Sequence, residues 1–531
     1  MSFVELPYEL LLHIISNISV EGILTIRQTC RFLYNVTHER AIWFDTLYNL
    51  SVNQNVPLPG LGRRSILDLN SIELEELARR TFRFHQNWTS RRPETTQDII
   101  ISSKELSCYS GIRTLATVFL PGYNGRYLVT SSFLESSLEP RSIVVHCWDL
   151  DEPEAPRSVA SLSITTFAAI SVNREAGNSA MVSVTRRSTD NVQAEGEPMT
   201  SIYSIDLDSR DPATAFTRLT EFPSPRHPIL LHGSHFFSAN VANNTIHVIN
   251  AETGKMICVL YPPKIGSDSI LGAIEEFRPL GAVVWDRFFL VFRQHWTHLY
   301  ELPTSPPSPR EEPPQIRPVA TYKWPWRIDS LQVSMHDSFP VRHARFTSQP
   351  LPVDHPPMIN ILLRYDSWYP WPVNTLHHYT LRPNPEYTGS GNDLPYLYSV
   401  QSKPIMETTI TSNMRLFTPS DMTIGEYGTA LWIDAQSDPD SPQAGDLGQR
   451  LAGQALSPNP SQEDRTDNLP GSLLLSSELE GKLDASNSYA AQPIFQIWDT
   501  YSEWAKVAVE EKEGRIALGS VEGRIHVMDY A

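Results

Sequence analysis

The chain has 531 residues, room for two to four domains, and carries 60 acidic against 43 basic residues for a net charge of −17. That balance speaks against a general nucleic-acid binder and against adhesion to an anionic membrane surface. The four cysteines, Cys30, Cys108, Cys147 and Cys258, are far apart with no CxxC or metal-ligand spacing, and read as reduced core thiols of an intracellular protein. No secretory signal pattern opens the chain, and no apolar run reaches the roughly 18–20 residues of a membrane helix. A cytoplasmic or nuclear location is expected.

The first predicted element is a helix opening at Pro7. Its apolar residues Leu10, Leu11, Ile14, Ile15 and Ile18 form a helical stripe. The stripe covers more than one side, because Leu10 and Ile14 lie one turn apart with Leu11 and Ile15 beside them. Such a helix needs one partner inside the chain and one outside. A second apolar group (Ile23, Leu24, Ile26) follows, then Cys30-Arg31, Leu33, Val36 and Trp43. A module of about 45 residues encloses its own apolar surface poorly.

This order of residues resembles the F-box, the helical module that docks on the Skp-type adaptor of cullin-RING ubiquitin ligases. The resemblance implies that Leu6, Pro7, Leu10, Leu11, Ile14, Ile15, Leu24, Cys30, Arg31 and Trp43 form the adaptor-docking surface or its immediate support. Leu6, Pro7, Leu10 and Ile14 would meet the adaptor, while Leu24 and Trp43 would brace the helices. Phe32-Leu33-Tyr34 departs from the commonest pattern, which has a Trp after the Cys-Arg pair. The plain alternative is an N-terminal helical hairpin packed onto the rest of the protein.

Residues 51–95 read as a linker containing a helix over about 71–88. Asn70 and Glu73 have capping-box spacing, acids lie early and arginines late, and the apolar face is Leu74, Leu77, Ala78, Phe82 and Trp88. That face can pack on the N-terminal module, the downstream domain or both, and so fix their relative orientation.

From residue 96 to 531 the hydrophobic period becomes two, as expected of an all-β domain. Seven strand pairs recur, ending at Asp149, Asp206, Asn250, Glu301, Thr380, Asp499 and Asp529. Trp148-Asp149 and Trp498-Asp499 resemble the signature of WD-repeat blades. The fold class expected is therefore a small all-α F-box module (1–50) followed by an all-β propeller of seven blades, with six or eight, or a pair of β-sandwiches, as alternatives. The chain stops just after a third strand, so DIIIS (Asp98–Ser102) can supply the missing outer strand and close the ring. Residues 303–318 are proline-dense and read as an extended loop whose Ser-Pro sites could accept a kinase. Residues 434–490, with ten acids and three bases, read as a disordered insertion, so that excising 436–488 should barely change stability.

The chemistry of catalysis is not visible. His295, His298, His377 and His378 are spaced so that strand geometry splits each pair between faces, giving no metal site. Neither a nucleophile elbow, a phosphate-binding loop nor any cofactor motif occurs. The arginine doublets 63–64, 79–80, 91–92 and 186–187 read as solvated charge, although Arg side chains converging on one mouth would recognise phosphate. The aromatic stretches Tyr322–Trp326 and Trp368–Trp371 could be interface hot spots or seam fillers. The whole resembles a fungal-type F-box protein. That implies a non-catalytic substrate-recognition subunit of an SCF-type ligase, with the Skp-type adaptor, cullin through it, and a protein substrate as partners. A scaffold that binds the adaptor without assembling a working ligase is the rival, and an enzyme housed in the propeller a third reading.

Overall fold

The computed structural model describes residues 6–531 apart from 63, 91, 102–110, 136–141, 153–155, 165–167, 187–197, 226, 264–276, 304–311, 337–338, 348–354, 367–374, 390–392, 413–419, 436–448, 457–494 and 500–503. Helices come first. α1 (Tyr8–Ser16) follows Pro7, whose missing N–H costs nothing at a helix start and whose carbonyl accepts from the Leu10 and Leu11 amides. α2 (Val20–Arg27) is capped by the Ser19 hydroxyl, which accepts from Gly22 N–H at 3.2 Å. α3 (Arg31–Val36), α4 (Arg40–Tyr48) and a π turn over Asn49–Asn53 complete the group. α5 (Ser71–Trp88) has the predicted capping box: Asn70 Oδ1 accepts from Ile72 and Glu73, and the Glu73 carboxylate accepts from Asn70 N–H at 3.0 Å.

Seven sheets follow among the described residues, each built on four antiparallel strands, and one of them carries a fifth. Blade 1 is β2 (Gly111–Phe119), β3 (Tyr127–Glu135), β4 (Ser142–Asp149) and β5 (Arg157–Ile164). Blade 2 is β6 (Ala168–Val172), β7 (Val182–Arg186), β8 (Met199–Ile205) and β9 (Phe216–Pro223). Blade 3 is β10 (His227–His232), β11 (His235–Asn240), β12 (Thr245–Asn250) and β13 (Met256–Leu260), with the short β17 (Gln315–Ile316) added in parallel to β13. Blade 4 is β14 (Pro279–Trp285), β15 (Phe288–Arg293), β16 (Trp296–Glu301) and β18 (Ala320–Lys323). Blade 5 is β19 (Ile328–Met335), β20 (Ile359–Tyr365), β21 (Thr375–Leu381) and β22 (Ile405–Thr411). Blade 6 is β23 (Met422–Ile424), β24 (Thr429–Ala435), β25 (Gln449–Ala455) and β26 (Phe495–Asp499). Blade 7 is β27 (Trp504–Glu510), β28 (Arg515–Ser520), β29 (Ile525–Asp529) and, on the outside, β1 (Gln97–Ile101).

The first strands of neighbouring blades touch in turn from β6 through β10, β14, β19 and β23 to β27, and β27 touches β2. Blades 1 and 2 share a core that includes Val129 and Val145 of the first and Val172 and Val182 of the second, with Leu115, Val118 and Ile170 packed against it. The ring is a seven-bladed β-propeller. It closes as the strand accounting predicts, with β1 antiparallel to β29 from Gln97 opposite Asp529 to Ile101 opposite Ile525. Closure pairs a strand edge that would otherwise be open to another chain.

The acid that ends so many third strands has a structural use. Asp149 takes both Nε and Nη2 of Arg126 at 2.9 and 2.7 Å, Glu301 takes Arg287 at 3.0 Å, and Asp529 takes Arg515 at 3.0 Å. In each case the arginine stands at the start of the second strand, so the pair ties one end of the blade. Asp206 and Asn250 instead accept backbone N–H groups of the turn that follows them.

Three readings are corrected. Gln449–Ala455, inside the segment read as a disordered insertion, is the third strand of blade 6, and Asp434 belongs to β24. Asp434 binds Arg450 bidentately at 2.8 and 2.6 Å, and the Gln449 amide donates to Trp504 O at 3.0 Å, joining blade 6 to blade 7. The rest of that segment, 436–448 and 457–490, lies outside the described residues. Second, Trp498-Asp499 ends a fourth strand and Trp148-Asp149 a third, so the two pairs are not equivalent positions. Third, the proline-dense segment is not loop throughout, since Gln315–Ile316 pairs with Val259–Leu260; its Ser-Pro sites fall outside the described residues.

Candidate docking surface

The helical region has one continuous core containing Ile15, Val20, Ile23, Leu33, Val36, Ile42, Trp43 and Leu47, extended by Leu74, Leu77 and Ala78 of α5. Arg27 organises its edge. The guanidinium binds the Glu75 carboxylate through both terminal nitrogens at 2.7 and 2.8 Å, and donates to the hydroxyl and carbonyl of Thr37. Trp43 donates its indole N–H to the same carbonyl at 2.9 Å and lies under the Arg27 charge.

Against this core the two apolar rows of α1 separate. Leu11 and Ile15 are fully buried, whereas Leu10 and Ile14 are 50 % and 38 % exposed. Pro7 and Tyr8 are exposed beside them, and Leu6 is half-buried. Of the other implied residues, Leu24 is half-buried against the core, Trp43 is wholly inside it, and Cys30 and Arg31 are exposed at the start of α3. Cys30 is therefore not a core thiol, while Cys147 and Cys258 are, and burial pushes the Cys258 thiol up to about 12. Cys108 lies outside the described residues. Phe32 and Tyr34 are exposed on α3 around buried Leu33, adding apolar surface at the position where the sequence departs from the commoner pattern.

Residues 3–47 match the family of F-box-like domains. This segment is an F-box-like domain. Among curated proteins no match to the chain is found.

The F-box-like domain is held to the propeller at two places. α5 spans both cores: Leu74, Leu77 and Ala78 pack in the domain, while Phe84 and Trp88 pack with Leu431, Ile433, Trp504 and Tyr530 of blades 6 and 7. Trp88 also donates to the Thr429 hydroxyl at 3.0 Å. Phe82, expected on the apolar face, is only half-buried, and Phe84 holds the propeller-facing place. Phe84 sits so close to Gly514 (φ +68°) that a Cβ there would collide with its ring.

The second attachment had no signal in strand periodicity. Between β19 and β20 the chain makes a short helix, α6 (Phe339–Ala344), and Phe346 just after it enters the core of the F-box-like domain. Phe44 and Tyr48 meet Phe346 edge-on at 5.5 and 5.4 Å between ring centres. A helix-sized gap between two strands of one hairpin was the only available hint. Loops joining first to second strands in blades 5, 6 and 7 thus face the helices, including Tyr427, whose carbonyl accepts from Asn55, and Glu513, which accepts from Gly60 N–H. Antiparallel order places the second-to-third-strand and blade-to-blade loops on the opposite face.

No catalytic or metal constellation emerges among the described residues. Among these described residues, no group of three or more His, Cys, Asp or Glu could hold a metal. His377 and His378 part as strand geometry requires, His377 toward Thr409 and His378 toward Asn360. Burial lowers His298 to about 3 and His378 to about 4. A cavity of about 550 Å³ runs through the ring, lined by Arg174, His232, Asp421 and Lys506 among others, with Lys506 and Asp421 3.7 Å apart. Arg186 of β7 is engaged by Glu221, Arg79 of α5 by Glu75 and Arg64 by Glu73, while Arg63, Arg91 and Arg187 lie outside the described residues. Trp324 fills the seam between blades 4 and 5, donating to the Thr297 hydroxyl, while Trp326 is 45 % exposed against Tyr365; Trp368–Trp371 lies outside the described residues.

Proposed function

We propose that the protein is the substrate-recognition subunit of an SCF-type cullin-RING ubiquitin ligase. The observation that carries this reading is the split of α1 in an F-box-like domain: Leu11 and Ile15 anchor the helix, and Leu10 and Ile14 stand free with Pro7. Exposed apolar residues backed by a rigid core suit docking onto a Skp-type adaptor, which would cover them. The propeller face turned away from the helices is the surface proposed for the substrate protein. The chain itself would perform no bond chemistry. It would hold the substrate near a charged ubiquitin-conjugating enzyme, raising effective concentration at a fixed geometry.

Co-purification of the full chain with a Skp-type adaptor and cullin tests this. Leu10→Asp with Ile14→Asp should abolish adaptor capture, because docking would bury unpaired charge, while the melting temperature stays the same. Unchanged capture would sink the docking assignment. Adaptor without cullin in the purified complex would favour the scaffold reading.

A further inference from the structure

We propose that the β19–β20 insertion is a latch that makes the docking conformation of the F-box-like domain conditional on a folded propeller. The role in docking rests on the function proposed above; the coupling itself rests on geometry. Among the described residues, Phe346 is the one side chain from the propeller segment in the main core of the domain, and it is 5 % exposed. A core of this size is poorly closed by itself, and Phe346 with Phe44 and Tyr48 completes its edge.

A chain of buried polar groups then carries the attachment into blade 5. Arg342 donates to the Asn55 side-chain oxygen and, at 3.5 Å, to Val52 O, a carbonyl of the π turn that ends the helical domain. Asn55 has φ +57°, a left-handed geometry that Asn tolerates, and its amide donates to Tyr427 O at 2.9 Å. Arg342 Nη1 is 3.4 Å from His336 Nε2, His336 Nδ1 is 3.5 Å from the Asn360 amide, and Asn360 Oδ1 is 3.2 Å from His378 Nε2. Arg342, His336, Asn360 and His378 are all buried. Arg345 adds a bond to the Tyr427 hydroxyl at 2.8 Å, reaching blade 6. Such a network is stable only when every member is in place, so loss of order in blade 5 withdraws Arg342 and Phe346 together. The F-box-like domain then loses its edge and the seat of α4, against which α1 packs. An incompletely folded propeller would leave the protein unable to join a ligase.

Backbone hydrogen exchange of the full chain, without adaptor, is the test. Phe346→Ala should speed exchange in α4 and the Asn49–Asn53 turn by about a hundredfold or more, the counterpart of a Phe→Ala cavity in a core. Asn360→Ala is the decisive second variant, because Asn360 lies in β20 and is linked to Asn55 through His336 and Arg342. It should also accelerate exchange in α4. If α4 keeps wild-type protection in both variants, the latch is wrong, whatever the adaptor does. Adaptor affinity is measured in parallel: a wild-type chain that never binds adaptor fails the docking reading and leaves the exchange result intact. By reciprocity, saturating adaptor should slow exchange in β19 and β20 of the wild type, and no slowing would overturn the link between docking and the latch.

Discussion

At the scale of single residues, neighbours in sequence have opposite uses. Leu10 and Leu11 differ by one position and by the whole range from half-exposed to sealed, because a 100° step on a helix moves a side chain from the solvent face to the core. Apolar patterning announces both as apolar and ranks neither. Glu511 shows a polar version of the same effect. It is buried at the turn after β27, where its carboxylate accepts the Tyr427 and Thr429 amides, both at 2.6 Å. Burial, only partly offset by those bonds, moves the carboxyl from its ordinary 4.5 up to about 7. The folded state therefore holds a proton that the unfolded state releases between those values, and this contribution to stability fades as pH rises through about 7. Glu511→Gln should make the fall in melting temperature between about pH 4.5 and 7 shallower. An unchanged slope would mean the carboxylate is already ionised in the fold.

At the scale of elements, α5 and β25 carry the weight. α5 is legible in the sequence from its cap and its acid-to-arginine gradient, but its contact with two cores is a property of where Phe84 and Trp88 end up. Trp88→Ala removes the contact with Tyr530 and the bond to Thr429, and should cost about 3–5 kcal/mol, read as a lower denaturant midpoint. β25 reverses the expectation drawn from composition. A window rich in Ser, Pro, Gly and acids hides a strand, Gln449–Ala455, that pairs with β24 along its whole length and with β26 from Gln449 to Gly453. Excising 436–488 would take out the middle of blade 6 and the Asp434–Arg450 pair, leaving a buried carboxylate without its cation. A large drop in melting temperature is expected. An unaltered one would place these residues outside the fold after all.

At the scale of the whole molecule, closure depends on the two ends of the propeller segment. β1 covers β29, Thr96 N–H donates to Asp529 O at 2.7 Å, and Tyr530 packs under Trp88 of α5. Removing Ile525–Ala531 would strip blade 7 of a central strand and expose β28, and should replace a cooperative thermal transition with early aggregation. A sharp transition in the truncated chain would argue that the ring holds without its closing pair.

The sequence by itself determined the helical start at Pro7, the capping box at Asn70, six of the seven strand pairs and the strand that closes the ring. All of these are local patterns or accounts of strand number, and local patterns are written in adjacent residues. Only the tertiary structure decided which row of α1 stays exposed, that β25 and not β26 is the partner of β24, and that Phe346 completes a core formed some 300 residues earlier. Asn55 and Arg342 are 287 positions apart, and nothing in the period or composition of either stretch marks the other as its partner. Such pairings are chosen by the burial and hydrogen bonding gained once the chain has folded back on itself, a quantity that belongs to the contact and not to either segment.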